Sequence, residues 1–263
     1  MLGVILPDLR YQCWAAFSWR NKNTLAGDPF LVAIIKHLLE RIDRSRYRFP
    51  SSAKKFEKSY YRNLSECRWE PHPRFSVFTQ YDQEYYIARK DIFLHKYRSF
   101  YAVSKTIRPS SIIELGTSAG SGADAYLSAA PTATYIGYDS FGKDIHHLHQ
   151  TEWDPYEIAT QLFDSRGFTN YQLIQTDLRK LERLPFRSDL VVVDAGHDFE
   201  NEYADLKLAL TAEPVFIFVD DSDDAGAAEL AVQRFLAEDL KNRVDYTVPL
   251  YYQGGGLVVK LLE

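Results

Sequence analysis

Tyr246-Thr247-Val248-Pro249-Leu250-Tyr251 and Leu257-Val258-Val259-Lys260-Leu261-Leu262 are two strand-like runs near the end of the chain, and Gln253-Gly254-Gly255-Gly256 lies between them. A parallel crossover needs about a dozen residues or more, so a link this short can only be a hairpin. One of the last two strands must therefore run antiparallel to its neighbours.

Working back from that hairpin, short apolar runs rich in Ile and Val recur at 111–115, 134–138, 171–175, 190–193 and 215–219. Helical patterns fall between them, near 121–130, 155–166, 199–210 and 225–238. Strands alternating with helices in this way imply βαβ units and a parallel sheet covered on both faces. The expected fold is α/β: a doubly wound, mostly parallel seven-stranded sheet with an antiparallel C-terminal hairpin, occupying 108–263. A dinucleotide-binding sheet normally ends on a further parallel strand, so the hairpin argues against that class.

Residues 1–107 read differently, as a mainly helical N-terminal extension. Asp28-Pro29 opens an apolar stretch from Phe30 to Leu39 that resembles a capped helix. Residues 45–60 are basic and polar around Pro50-Ser51-Ser52 and suggest a loop or lid. A second helix is expected over 83–107, with Tyr86, Ile87, Phe93, Leu94, Tyr97 and Tyr101 near helical spacing, ended by Arg108-Pro109.

The net charge of −5 conceals a division at the same boundary. Residues 1–110 hold 20 Lys and Arg against 10 Asp and Glu, whereas 111–263 hold 11 against 26. Either the basic part docks on the acidic part of its own chain or of a partner subunit, giving a homo-oligomer, or it receives an anionic substrate. Cys13 and Cys67 are the only cysteines, too few for a disulfide framework or a zinc site, although one bridge stays open. The apolar residues 2–6 are broken by Pro7, Asp8 and Arg10, and no run approaches the ~18–20 residues that span a bilayer. A cytoplasmic protein with no membrane segment is expected.

Glu114-Leu115-Gly116-Thr117-Ser118-Ala119-Gly120-Ser121-Gly122 links the first expected strand to its helix. In an open parallel sheet, ligands bind beyond the carboxyl ends of the strands, where this loop falls. Ser118 stands where a dinucleotide fingerprint needs its second glycine, which argues against NAD or FAD. Asp139 closes the second strand, 23 residues after Gly116, and could accept hydrogen bonds from ribose hydroxyls or simply be a solvated loop residue. Asp177, after the third strand, could bind an adenine amino group or cap a turn.

Glu114-x-Gly116-x-x-x-Gly120 with the acidic end of strand two resembles motif I of the class I S-adenosylmethionine methyltransferases. Val193-Asp194-Ala195-Gly196-His197-Asp198-Phe199-Glu200, continuing to Ala204-Asp205-Leu206, is similar to the D-G-D-H-S-Y-E…A-D-L segment of the macrocin-type small-molecule methyltransferases. Tyr138-Asp139-Ser140-Phe141-Gly142 and Val219-Asp220-Asp221 fit the same group. The resemblance implies S-adenosylmethionine as cofactor, held by Glu114, Gly116, Ser118, Gly120, Asp139, Ser140, Phe141, Asp177 and Leu178. It implies methyl transfer to a hydroxyl of a sugar, macrolide or aromatic natural product, often with Mg²⁺. One departure stands out: the family's second Asp in D-G-D-H is Gly196 here, so either another group supplies its function or the acceptor chemistry differs.

Asp220-Asp221-Ser222-Asp223-Asp224 puts four carboxylates in five residues. A hard divalent cation held by Asp194, Asp220 and Asp221 would answer their repulsion, and helix capping by Asp223 or Asp224 is the plainer alternative. With Gly196 unable to act as a base, proton removal falls to His197, assisted by the metal's effect on the acceptor hydroxyl, and His197 and Asp194 are the catalytic candidates. His146, His147 and His149 form a further polar stretch that could touch substrate or simply face solvent. The alternative function is a nucleic-acid methyltransferase or ligand-sensing binding module that uses the basic, Tyr- and Phe-containing residues 45–62.

Overall fold

The computed structural model describes residues 50–75, 83–142, 154–222, 227–252 and 254–262, with side chains from residue 90 onward in the second of these segments. The expected helix at Asp28-Pro29, Cys13, the histidines at 146, 147 and 149, and Asp223 and Asp224 lie outside the described residues. Two helices come first, α1 (Ser51–Ser65) and α2 (Gln83–Ile107). They are followed by β1 (Ser111–Leu115), α3 (Ser121–Ala129), β2 (Thr134–Asp139), α4 (Pro155–Arg166) and β3 (Tyr171–Gln175). A 3₁₀ turn (Leu178–Lys180), β4 (Leu190–Val193), α5 (Phe199–Leu210), β5 (Phe216–Asp220), α6 (Ala227–Glu238), β6 (Val244–Leu250) and β7 (Gly256–Leu261) complete the order.

The seven strands lie in the order β3-β2-β1-β4-β5-β7-β6. Strands β1 to β5 pair in parallel, β7 runs antiparallel to β5, and β6 antiparallel to β7. The short glycine link makes β6 and β7 an antiparallel hairpin, and the second of its strands is the one that lies beside β5. Among the described residues, no helix is long and apolar enough to cross a membrane.

Strand alternation decides what each face receives. Ile113, Leu115, Val191, Val193, Ile217 and Val219 point to one face, where they pack with Leu206, Ala209, Val232 and Phe235 of α5 and α6. Residues of opposite parity point to the other face. There Phe100 of α2 stacks on Tyr126 of α3 at 5.2 Å and meets Phe218 of β5 edge-on at 5.4 Å, while Phe56 of α1 lies 6.2 Å from Phe216. Glu114, Tyr135 and Asp220 have this second parity, so their polar groups are directed under α1–α4.

The expected loop over 45–60 is corrected across its described part, since Ser51–Ser65 is a helix. Pro50 supplies an extended entry (φ −56°, ψ 153°), and neither Gly nor Pro follows until the helix has ended. Ala53, Phe56 and Tyr60 then fall on one buried face, and the lysines that suggested a loop form the opposite, exposed face. In α2 the buried stripe also differs from the expected one. Ser99, Phe100, Ala102, Val103 and Ser104 are buried, and Tyr97 and Tyr101 only partly so.

Candidate active site

The glycine loop sits at the carboxyl end of β1 and is pulled against two neighbouring strands. Gly116 N–H donates to the Tyr138 carbonyl of β2 (2.8 Å), and Gly116 itself has φ +95°. A Cβ there would lie 2.5 Å from the Asp194 carbonyl carbon and 2.7 Å from Ala195 Cα, so only glycine lets the loop pass this close to the end of β4. Gly120, also left-handed, closes a turn by donating to the Thr117 carbonyl (2.9 Å) and opens α3.

Asp139 at the end of β2 ties this loop down. Its Oδ2 accepts from Ser118 N–H at 2.8 Å and its Oδ1 from Phe141 N–H at 2.6 Å. Both donors belong to residues in the left-handed region, Ser118 at φ +48° and Phe141 at φ +50°. Asp221, just past β5, is a third non-glycine residue of this kind, at φ +49°. Strain of this sort costs ~1–3 kcal/mol per residue and persists where the surroundings impose it. These three sit at strand carboxyl ends, and three further described residues with positive φ, Arg108, Glu213 and Asn242, lie just ahead of strands. Ser140 accepts from Gly142 N–H at 3.3 Å, and its carbonyl accepts from the Gln175 side chain at 3.0 Å. Phe141 is buried with its ring edge-on to Tyr156.

Glu114 lies beneath the loop rather than at its surface, 1% exposed, with the Tyr135 hydroxyl donating to its Oε2. Burial pushes its carboxyl up to about 8, despite the opposing hydrogen bond from Tyr135. Asp177 is exposed and caps the 3₁₀ turn, accepting from Arg179 N–H at 3.0 Å, and Leu178 packs on the core.

Around the end of β4 the chain explains its own departure from the related motif. A Cβ at Gly196 would stand 2.7 Å from Asn201 Cβ and 2.9 Å from Glu202 N, because the first turn of α5 closes onto it. Gly196 N–H donates to the buried Asp205 (3.1 Å), which is also ion-paired with Arg179, so Asp205 anchors this turn. Asp198 is the N-cap of α5, accepting from Asn201 N–H at 2.9 Å, and His197 is exposed at the start of that turn. Glu202, buried one turn further on, is pushed up to about 8 by burial and by the charges of Asp220 and Asp221.

Asp194, Asp220 and Asp221 do come together: one oxygen from each lies within 4.8 Å of the others. The group already contains a cation that the sequence did not disclose. Lys96 of α2 places Nζ 2.5 Å from Asp220 Oδ2 and 3.4 Å from Asp221 Oδ1. The Tyr252 hydroxyl donates to the other Asp220 oxygen at 2.6 Å, so both oxygens of that carboxylate are engaged. The Asp221 carboxylate is packed against Gly254, where any Cβ would collide with its Oδ1. Burial alone would lower the Lys96 ammonium, but Asp220, Asp194 and Asp221 together raise it well above the ordinary lysine value. Asp194 is held well above the usual carboxylate range by burial and then by Asp220, with Lys96 opposing. As arranged, these residues do not fit a divalent cation, because an ammonium stands among them. The one hint of Lys96 in the sequence is the charge division, for which docking of basic residues on acidic ones is one of the two readings.

A cavity of about 570 Å³ lies elsewhere, at the amino ends of β1 and β2 beside Thr169, Asn170, Phe186 and Arg187. It is remote from the glycine loop and brings together none of the site residues.

No protein-family model and no curated protein matches the chain. Its fold is found among solved structures. The SAH-bound methyltransferase PaMTH1 of Podospora anserina is 14% identical, the alignment covering 90% of this chain and 99% of that one, with a TM-score of 0.50. The O-methyltransferase TomG of Streptomyces achromogenes, in complex with SAM, is 14% identical over 84% of this chain and 95% of that one, with a TM-score of 0.48. An O-methyltransferase from Bacillus cereus in complex with SAH is 14% identical over 83% and 94%, with a TM-score of 0.46. At this identity the likeness to PaMTH1 establishes a shared fold.

Proposed function

We propose that this chain, built on the fold of the methyltransferase PaMTH1, transfers a methyl group from S-adenosylmethionine to a hydroxyl of a small molecule. The observation that carries the proposal is the closed arrangement of Gly116, Ser118 and Asp139. A carboxylate at the end of β2, fixed by two backbone N–H groups beside a glycine turn, is shaped to accept hydrogen bonds from a ribose, and no fingerprint for a pyrophosphate accompanies it.

When bound, S-adenosylmethionine supplies a methyl group on a positively charged sulfur. The residues of the chain bind it, align the acceptor and take a proton. Gly116 and Gly120 let the backbone pass beneath the ligand, and Asp139 faces its sugar. The excess negative charge of Asp194, Asp220 and Asp221 favours a cationic donor nearby. His197, exposed at the end of β4 and free of the crowding around Gly196, takes the acceptor's hydroxyl proton as the new C–O bond forms and the C–S bond breaks. The acceptor class in this reading is a sugar, macrolide or aromatic natural product, methylated in the cytoplasm. The Mg²⁺ assistance implied by the resemblance is replaced by Lys96.

Calorimetry with S-adenosylmethionine, its demethylated product and NAD tests the reading: the first two bind and NAD does not compete. Binding of NAD alone would overturn it. One observation favours a second reading, methylation of nucleic acid. Lys54, Lys55, Lys58 and Arg62 line the exposed face of α1. A salt-dependent RNA gel shift, lost on charge reversal of that face, would support it.

A further inference from the structure

We infer that Lys96 is the resident cation of the acidic site, that its ammonium occupies the position a divalent metal would take, and that the protein works without one. The three carboxylates leave adjacent strands, β4 and β5, and their oxygens approach within 4.8 Å, a donor set suited to a hard ion. An isolated cluster of this kind would repel itself, and some positive charge has to compensate. Lys96 reaches it from outside the sheet, on α2, with contacts to Asp220 and Asp221 at 2.5 and 3.4 Å.

The position is built, not incidental. Lys96 Nζ lies 5.7 Å from the centre of the Phe100 ring, so the ammonium rests on the same aromatic side chain that seats α2 against Tyr126, Phe218 and Tyr252. Tyr252 fills the far side of Asp220 with a donated hydrogen bond, and the ion pair itself is largely shielded, Asp220 being 3% exposed. A metal entering here would have to expel a buried ammonium and leave it without a partner, which costs far more than a surface exchange. One ammonium faces three carboxyl groups, so any ionisation beyond Asp220 leaves negative charge that Lys96 does not balance. In the functional reading above, on which this clause alone rests, the sulfonium of the donor answers it.

If Lys96 excludes the metal, removing its charge should open a metal site. The test is Mn²⁺ binding followed by electron paramagnetic resonance on the purified full chain, with no methyl donor present. Its outcome is thereby independent of the methyltransferase reading. In the wild type the Mn²⁺ signal should remain that of free ion at millimolar metal. In Lys96→Gln one Mn²⁺ should bind at least tenfold more tightly than to the wild type, and adding Asp220→Asn should abolish that binding. Lys96→Arg, which keeps a cation, should stay blind to metal. The inference is overturned if the wild type binds one Mn²⁺ that Asp221→Asn removes, or if folded Lys96→Gln binds none. Folding of Lys96→Gln only when Mn²⁺ is present would support it. Should that variant fail to fold with or without Mn²⁺, the wild-type titration decides.

Discussion

Replacing Asp139 tests whether the loop after β1 is held in shape for a ligand or is merely a tight turn. Its two carboxylate oxygens accept from Ser118 N–H and Phe141 N–H at 2.8 and 2.6 Å, and both donors are in left-handed conformations that their side chains disfavour. Hydrogen bonds to a charged group contribute ~1.5–3 kcal/mol each. Asp139→Asn removes the charge and turns an amide N–H toward a backbone N–H, so at least one such bond is lost. The expected effect is a dissociation constant for the demethylated cofactor product raised about 10- to 150-fold. Asp139→Ala loses both tethers, and the loop can then relax toward ordinary φ values. Adding Ser118→Gly to Asp139→Ala separates the two contributions. Glycine removes a left-handed penalty of ~1–2 kcal/mol, so affinity should recover about fivefold or more if preorganisation matters. Isothermal calorimetry reads all three variants, with thermal melts as a check on folding. Affinities within twofold of the wild type for both Asp139→Asn and Asp139→Ala would show that the carboxylate serves the turn alone.

Restoring the related motif's acidic residue by Gly196→Asp should destabilise the protein, because the new Cβ meets Asn201 and Glu202 at 2.7–2.9 Å. Overpacking of ~1–3 kcal/mol corresponds to a melting temperature lower by about 3–10 °C, and an unchanged melt would mean that α5 gives way freely. Glu114, pushed up to about 8 by burial, holds its proton in the folded chain where the unfolded chain has lost it. Stability must therefore fall as pH rises from the ordinary glutamate range, about 4.5, to about 8. Glu114→Gln should reduce that fall in urea melts, the slope that remains coming from Glu202, also raised to about 8, and from the raised carboxyls of Asp194, Asp221 and Asp124; an identical pH profile would refute the assignment. His197→Ala should lower turnover by about 10²–10⁴ with cofactor affinity unchanged, whereas unaltered turnover would move proton removal to another group.

The strands and most helices were legible because their signals are local. The β4 run 190–193 is continuously apolar, Asp154-Pro155 and Gly167 bracket α4 as cap, first-turn proline and left-handed stop, and the glycine link dictates the final hairpin. Asp194, Asp220 and Asp221 were legible as a group because a strand end fixes where its next residue goes. Lys96 was not. It lies 125 residues from Asp221, and a lysine among His95, Tyr97 and Arg98 reads as a solvated helix face. An inner stripe through Tyr97 and Tyr101 would rotate α2 away from its contact through the buried Phe100. Gly196 was visible as a departure, but its cause, the close approach of α5, is a tertiary fact with no local signature. The α1 segment reads as a loop because its lysines mask the helical spacing of Ala53, Phe56 and Tyr60.

The charge division along the chain acquires a specific meaning once Lys96 is placed. A basic segment preceding an acidic sheet need not attract any external anion, since part of its charge is spent inside the molecule. Lys96 meets Asp220 and Asp221 directly, while Arg98 is paired with Glu70 and bonded to the Trp69 carbonyl within its own segment. Strand parity then makes the arrangement nearly obligatory. Asp220 points to the face that α2 covers, for the same reason that Val219 points to α5 and α6, so burying α2 on Phe218 brings whatever lies one helical turn before Phe100 over the carboxylate. Position 96 is that residue. An alanine or leucine there would leave a buried, unpaired charge at the end of β5, and only a long cation satisfies both the apolar wall and the acid beneath it.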